Sequence, residues 1–274
     1  MNLSINTSAA ATVSTANANL GPLALQPSPA AAGTSQASSS ALAVTPQETQ
    51  QQIQQRLAVF LAVPQRLSMD SEDIANALVP SMQALILQRP DLANAQFDFS
   101  SDNGAIKVTS NTLSESDRAW LQDTFNQNGA LVKAVNAFHD DTVAGYALYA
   151  NADGHPLSQT DMDAVSKQAD GMTQFMSLFK RLGVAAQPGI NSSGGTYLAQ
   201  NGATINFEQP STAIGFLTFM QSAKAGSDGN ATLQLPKGRV IHNALKIDVF
   251  ANPDAMPQFR PPSDSRSIGV HEVA

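Results

Sequence analysis

Residues 158–183 read SQTDMDAVSKQADGMTQFMSLFKRLG, and this stretch decides how the chain folds. Met162, Val165, Ala169, Met172, Met176 and Phe179 fall at alternating spacings of three and four. Positions three and four apart share one side of an α-helix, so the spacing predicts a single apolar stripe along about six turns. Upstream, Leu131, Val135, Phe138, Thr142, Tyr146 and Tyr149 repeat the pattern and predict a second long helix over 130–150. Two such helices joined by a short loop form an antiparallel hairpin, whose stripes need a surface to lie against.

Capping signals agree with the periodicity. Ser158-x-x-Asp161 opens the striped helix, Ser114-x-x-Asp117 opens a helix carrying Trp120, Leu121 and Phe125, and Gly129 separates that helix from the next. Thr45-Pro46-Gln47-Glu48 combines a side-chain cap, a proline at the tolerated first position and a capping-box acid. The helix it opens is expected to bury Ile53, Leu57, Phe60 and Leu61 and to stop at Pro64. A further segment over 70–88 turns Ile74, Leu78, Met82 and Leu85 inward, with Pro80 expected to kink or split it and Pro90 to end it.

Strand signals are fewer. Asn103-Gly104 lies between Phe97–Ser100 and Ala105–Thr109 and predicts a tight hairpin. A second hairpin is expected from 196–199 and 203–207 about Gln200-Asn201-Gly202, after a loop over 187–195. Residues 210–224 read as a helix carrying Ile214, Leu217, Phe219 and Met220, and 231–235 and 246–250 read as strands. The fold class is therefore α+β and mainly α: a helical bundle with two small β-hairpins, preceded by a disordered leader. The expected divisions are a leader over 1–44, a helical domain over 45–184, a smaller α+β region over 185–251 and a Pro/Ser-rich extended tail over 252–274.

Composition narrows the function classes. Charged residues make up 14% of the chain, well under the usual quarter or so, and the net charge is −7. Nucleic acid and anionic membrane both reward Lys/Arg clusters, and Lys180-Arg181 is only an isolated pair near a helix end, so neither is the expected partner. No run of eighteen apolar residues is present to span a bilayer. With no cysteine there are no disulfides, thiol nucleophiles or thiolate metal sites.

Before Glu48 the chain has no charged side chain, and Ser, Thr, Ala, Asn, Gly and Pro dominate residues 1–44. Such a segment holds too little apolar surface to offset an ordering entropy of roughly 1–2 kcal/mol per residue. It has neither the basic nor the apolar region of a cleavable signal peptide. In composition, MNLSINTSAAATVSTANANL resembles the uncleaved, unfolded leaders of bacterial type III secretion substrates; a plain low-complexity tail is the competing reading.

The chemistry-bearing residues fit structural roles. Asn151–Ser158 invites comparison with a calcium loop, but aligning Gly154 at the sixth position puts Tyr149 first and Thr160 twelfth. Neither supplies the required carboxylate, so a helix–turn–helix connection with Ser158 as cap is preferred. His139-Asp140-Asp141 occupies adjacent helix positions, which point apart, and His139 reads as a residue flanking the core. His155, His242 and His271 lack neighbours at metal spacing, and no zinc, nucleophile-elbow or phosphate-loop motif is present. No catalytic residue, cofactor or metal site is assigned.

Methionine fills irregular cores and also lines adaptable binding surfaces. Packing inside the domain is the first reading of the Met stripe. Met162, Met172, Met176 and Phe179 are the candidate partner-binding residues of the second. The expected function is that of a secreted, effector-like bacterial protein, exported without a cleavable signal and acting through its helical domain on a protein partner, either a host target or a secretion chaperone. A structural or assembly component, an enzyme with a site built from scattered residues, and a cytoplasmic location are the alternatives.

Overall fold

At Asn103 and Gly104 the backbone takes φ of 50° and 81°. Two consecutive positive φ angles make a hairpin turn whose twist matches its flanking strands. Accordingly β1 (Asp98–Asp102) pairs antiparallel with β2 (Ala105–Thr109), with Asp102 opposite Ala105. The computed structural model describes residues 50–257. The expected disordered leader, the Thr45–Glu48 capping box and the part of the tail beyond Pro257 lie outside the described residues.

Helix α1 runs unbroken from Gln50 to Gln88, through both Pro64 and Pro80. The expected stop at Pro64 is thus corrected, and Pro80 does not split the helix. Each proline removes one backbone donor at a cost of about 3 kcal/mol or more. Ile74, Leu78, Met82 and Leu85, with Leu67, are fully buried on α1, and about 1.5–3 kcal/mol per side chain outweighs that cost.

Helix α2 (Glu115–Gln127) starts at Ser114, whose hydroxyl accepts the Asp117 N–H. Its side chains also complete the hairpin: Asn126 exchanges two hydrogen bonds with the Ile106 backbone, each of 2.8 Å, and Gln122 Oε1 accepts the Val108 N–H. Helix α3 (Gly129–Ala152) lies antiparallel to α1. Asn128 Nδ2 donates to Ala77 O and Ser81 Oγ at one end, Arg66 meets Asp141 at 3.3 Å midway, and Arg56 meets Asp153 at 3.0 Å at the other. Gly145 lets the helices approach closely, since a Cβ there would stand 2.5 Å from Val63 Cγ1.

The expected single helix over 158–183 is two helices, α4 (Gln159–Ala169) and α5 (Phe175–Asn191). Gly171 breaks it with φ of +72°, and its N–H is taken by Ser101 O at 2.8 Å. Asp98 of β1 then caps α5 from across the fold: its carboxylate accepts the N–H groups of Met176 and Ser177, at 2.8 and 3.0 Å, and the Ser177 hydroxyl. Four tertiary hydrogen bonds to the first hairpin therefore override a continuous periodic pattern. At its start α4 carries the predicted capping box, Ser158 with Asp161. The expected loop over 187–195 begins only after Asn191, because α5 continues through Pro188 to bury Ile190.

A three-stranded sheet follows, β3 (Thr196–Leu198), β4 (Ala231–Gln234) and β5 (Val240–Leu245), with β4 central. The expected hairpin about Asn201 reduces to one bridge between Leu198 and Thr204, and the ladder partner of β3 is β4. No strand forms over 246–250. Asp248 Oδ1 accepts the N–H groups of Phe250 and Ala251, curling that segment into a side-chain-closed turn. Helix α6 (Ala213–Ser227) opens at Thr212, which accepts the Gly215 N–H.

One core serves every one of these elements except α4. Phe175 on α5 stacks at 5.2 Å on Phe99 and on Phe138, and Phe179, a turn later, meets Phe216, Phe219 and Phe250 at 5.5–6.3 Å. The expected boundary at 184/185 falls inside α5, and the buried residues on both sides of it form a single cluster.

Candidate functional site

The apolar residues at the start of α1 are not in the core. Ile53, Leu57, Phe60 and Leu61 are 48%, 56%, 39% and 62% exposed. The expectation that they are buried is corrected. They occupy one side of the helix, because 53, 57, 60 and 61 are separated by four, three and one. That side differs from the one facing α3, which carries Arg56, Val63 and Arg66. Farther along α1, Ser68 donates its hydroxyl to Phe250 O, and Leu67 and Ser71 are fully buried. The described residues therefore cover this side of α1 from about its fourth turn onward and leave it exposed before that.

The candidate partner-binding residues are dispersed. Met176 and Phe179 are 1% and 0% exposed and belong to the core of α5. Met162 is half-buried on α4, and Met172 is exposed in the connection between the two helices. Because the stripe is cut at Gly171, the four do not form one surface, and two of them lie in the core.

Carboxylates meet on the α1–α3 seam. Asp70 Oδ2 is buried without a donor among the described residues, and its neighbour Asp141 accepts from Arg66 Nη1 at 3.3 Å. Burial, followed by the charge of Asp141 and a hydrogen bond to it, pushes the Asp70 carboxyl up to about 7; Asp73 adds to the shift and Arg66 opposes it. A proton on Asp70 thus relieves its repulsion by Asp141. Glu72, two residues on, is raised by burial and by Asp248 and Asp73.

His139 touches Asp140 at 3.1 Å despite their adjacency, and it also reaches Ser166 O at 3.1 Å and Asp170 at 3.7 Å. It ties α3 to α4. Asp141 points away to Arg66, so the three-residue cluster does not converge on one point. Among the described residues, no group of three or more His, Asp or Glu side chains is placed to hold a metal ion.

Two surface depressions, of about 380 and 480 Å³, lie elsewhere. The first includes Ser177 and Arg181, but the Ser177 hydroxyl is bound to Asp98 as part of the α5 cap. The second is lined by Gln200, Asn201, Lys224 and Asp228 at the end of α6. No helix among the described residues is long and apolar enough to cross a membrane. Comparison of the chain with protein-family models, with curated proteins and with solved structures found no match.

Proposed function

We propose that this chain acts by binding a protein through the bare face at the start of α1, and that residues 1–45 direct its export through a type III-type apparatus. One observation carries the binding reading: four large apolar side chains stand together, exposed, on the same side of α1 that Leu67, Ser71, Ala75 and Leu78 bury farther along. Isolated exposed leucines are ordinary, whereas a contiguous apolar stripe marks a contact surface. Burying such a side chain completely contributes about 1.5–3 kcal/mol, so the stripe offers several kcal/mol to an occupant. Association costs about 4–15 kcal/mol in lost freedom, so the partner must also cover chain beside the stripe.

The export reading rests on the charge-free leader and on its likeness in composition to type III substrates. It is tested with a reporter fused behind residues 1–45, in bacteria with and without an active type III ATPase. Export only with the active ATPase is expected, and retention in both strains removes this part of the proposal. The binding reading is tested with a photo-cross-linking residue at Leu57 or Leu61 of the full chain, in the cells that make it. Discrete adducts are expected from these sites and not from Lys133 on the exposed side of α3. Equal labelling from all three sites rejects the α1 face as the contact surface.

A further inference from the structure

We infer that the free edge of β5 takes up an extended, acidic peptide segment of another protein as a fourth strand. This surface is separate from the α1 face, and the two readings stand or fall independently.

Backbone direction supplies the first argument. The order β3-β4-β5 leaves β5 at an edge, and among the described residues no strand pairs with its outer side. The Leu235 N–H donates to Arg239 O at 2.8 Å, and Leu233 lies opposite Ile241. Alternate residues of an antiparallel strand bond to opposite sides. Arg239 and Ile241 therefore bond toward β4, and the N–H and C=O groups of Val240 and His242 point outward. At Asn243 a φ of 53° bends the strand, which confines the open ladder to residues 239–242.

Side chains supply the second. Sheet edges are ordinarily blunted by charge or proline on the strand itself. Here the open ladder carries Val240 and Ile241, 49% and 39% exposed, on opposite faces of the sheet. An added strand brings its own apolar side chains to about 5 Å from each of them.

Charge selects the occupant. Although the chain has a net charge of −7, no Asp or Glu lies between Asp228 and Asp248, and that stretch carries Lys237, Arg239 and Lys246. All three are exposed, and none makes an ion pair among the described residues. The Asp248 carboxylate is turned to the Phe250 and Ala251 amides. Unpaired cations thus stand at both ends of β5, about 20 Å apart, with apolar residues between. The segment that fits is apolar in its middle and carries Asp or Glu at both ends. Two copies of this chain pairing edge to edge would set these cations against each other, so a second copy does not fit.

Fluorescence anisotropy of the full chain with a fluorescein-labelled octapeptide, DEVTVTDE, tests this. Three controls accompany it. DEVPPTDE keeps the charge and removes a donor from either edge of the peptide, KKVTVTKK reverses the charge, and oligothymidylate is a polyanion with no peptide backbone. Two variants complete the set, Val240→Pro, which removes an outward N–H, and Lys237→Gln/Arg239→Gln/Lys246→Gln, with circular dichroism and the melting temperature verifying the fold. Half-saturation by DEVTVTDE is expected below about 1 mM, with all three controls and both variants at least about tenfold weaker. No binding below that concentration overturns the inference, and so does unchanged binding by the triple variant or by KKVTVTKK. Equal binding of DEVPPTDE shows that no ladder forms and rejects strand addition, without relying on the fold of Val240→Pro. Equal binding of oligothymidylate makes the edge a general polyanion site and rejects the peptide.

Discussion

At Asp70 a single carboxyl group makes stability depend on pH. Its folded value of about 7 exceeds its ordinary 3.8, so between these values the folded chain holds a proton that the unfolded chain has released. Stability contributed by the proton on Asp70 is complete below about pH 4 and is lost as pH rises through 7. At this half-buried site, solvent screening reduces the effect to about 1–2 kcal/mol. Glu72, shifted in the same direction, adds to this slope. Asp117 and Asp161 work oppositely: hydrogen bonds from Ser114 and Arg89 to the first, and from Ser158 to the second, hold them low, so their contributions fade only in acid. Asp70→Asn removes the charge conflict while keeping the shape. It is expected to stabilise the chain at pH 8 by about 1 kcal/mol and to flatten the decline between pH 5 and 8, as read from urea midpoints. An unchanged pH slope in the variant would show that Asp70 does not hold a proton in the folded chain near neutral pH. Nothing in the sequence pointed to this pair, because 70 and 141 meet only when α1 packs on α3. The apolar residues 53, 57, 60 and 61 were fully legible, yet periodicity says which residues share a face and not whether anything covers it.

At the scale of elements, sequence signals held where the chain closes its own hydrogen bonds nearby. The caps at Ser114 and Ser158 and the turn at Asn103-Gly104 depend on residues within three positions of each other, and each forms as read. Readings failed where a distant residue decides the outcome. Pro64 does not end α1, because residues on either side of it pack on α3. The stripe from Met162 to Phe179 is divided because Asp98 and Ser101 of the hairpin take the amides about Gly171 and at the start of α5. Asp98→Ala is therefore expected to cost about 1–2 kcal/mol, as loss of a helix cap does, although it lies in a strand 78 positions from the helix it caps. Amide exchange should quicken at Met176 and Ser177 first, before any change at the Ser158 cap. If exchange quickens equally at both caps, α5 is not held by Asp98.

Across the whole molecule, the question is whether residues 50–257 unfold as one unit or as the two regions that composition suggests on either side of 184. The last third is richer in glycine and loop, and that change of character is a property of local sequence. Packing follows a different rule. Phe175 faces Phe99 and Phe138 while Phe179 faces Phe216, Phe219 and Phe250, so a single helix carries both halves of the aromatic core. Shared buried surface makes unfolding cooperative, because neither half keeps its apolar contacts once the other opens. Trp120, the only tryptophan, reports on α2 in the first half, and Tyr197 on β3 reports on the second. Urea unfolding followed by Trp120 fluorescence and by tyrosine circular dichroism in a Tyr146→Phe/Tyr149→Phe background, where Tyr197 is the one tyrosine left, is expected to give one midpoint. Phe179→Leu keeps an apolar side chain but loses ring contacts, and should lower both signals together by about 1–2 kcal/mol. Were residues 185–251 a separate region, the substitution would move the Tyr197 signal alone, and the two midpoints would part. A common shift instead makes α5 the element through which loss of the far sheet reaches α1.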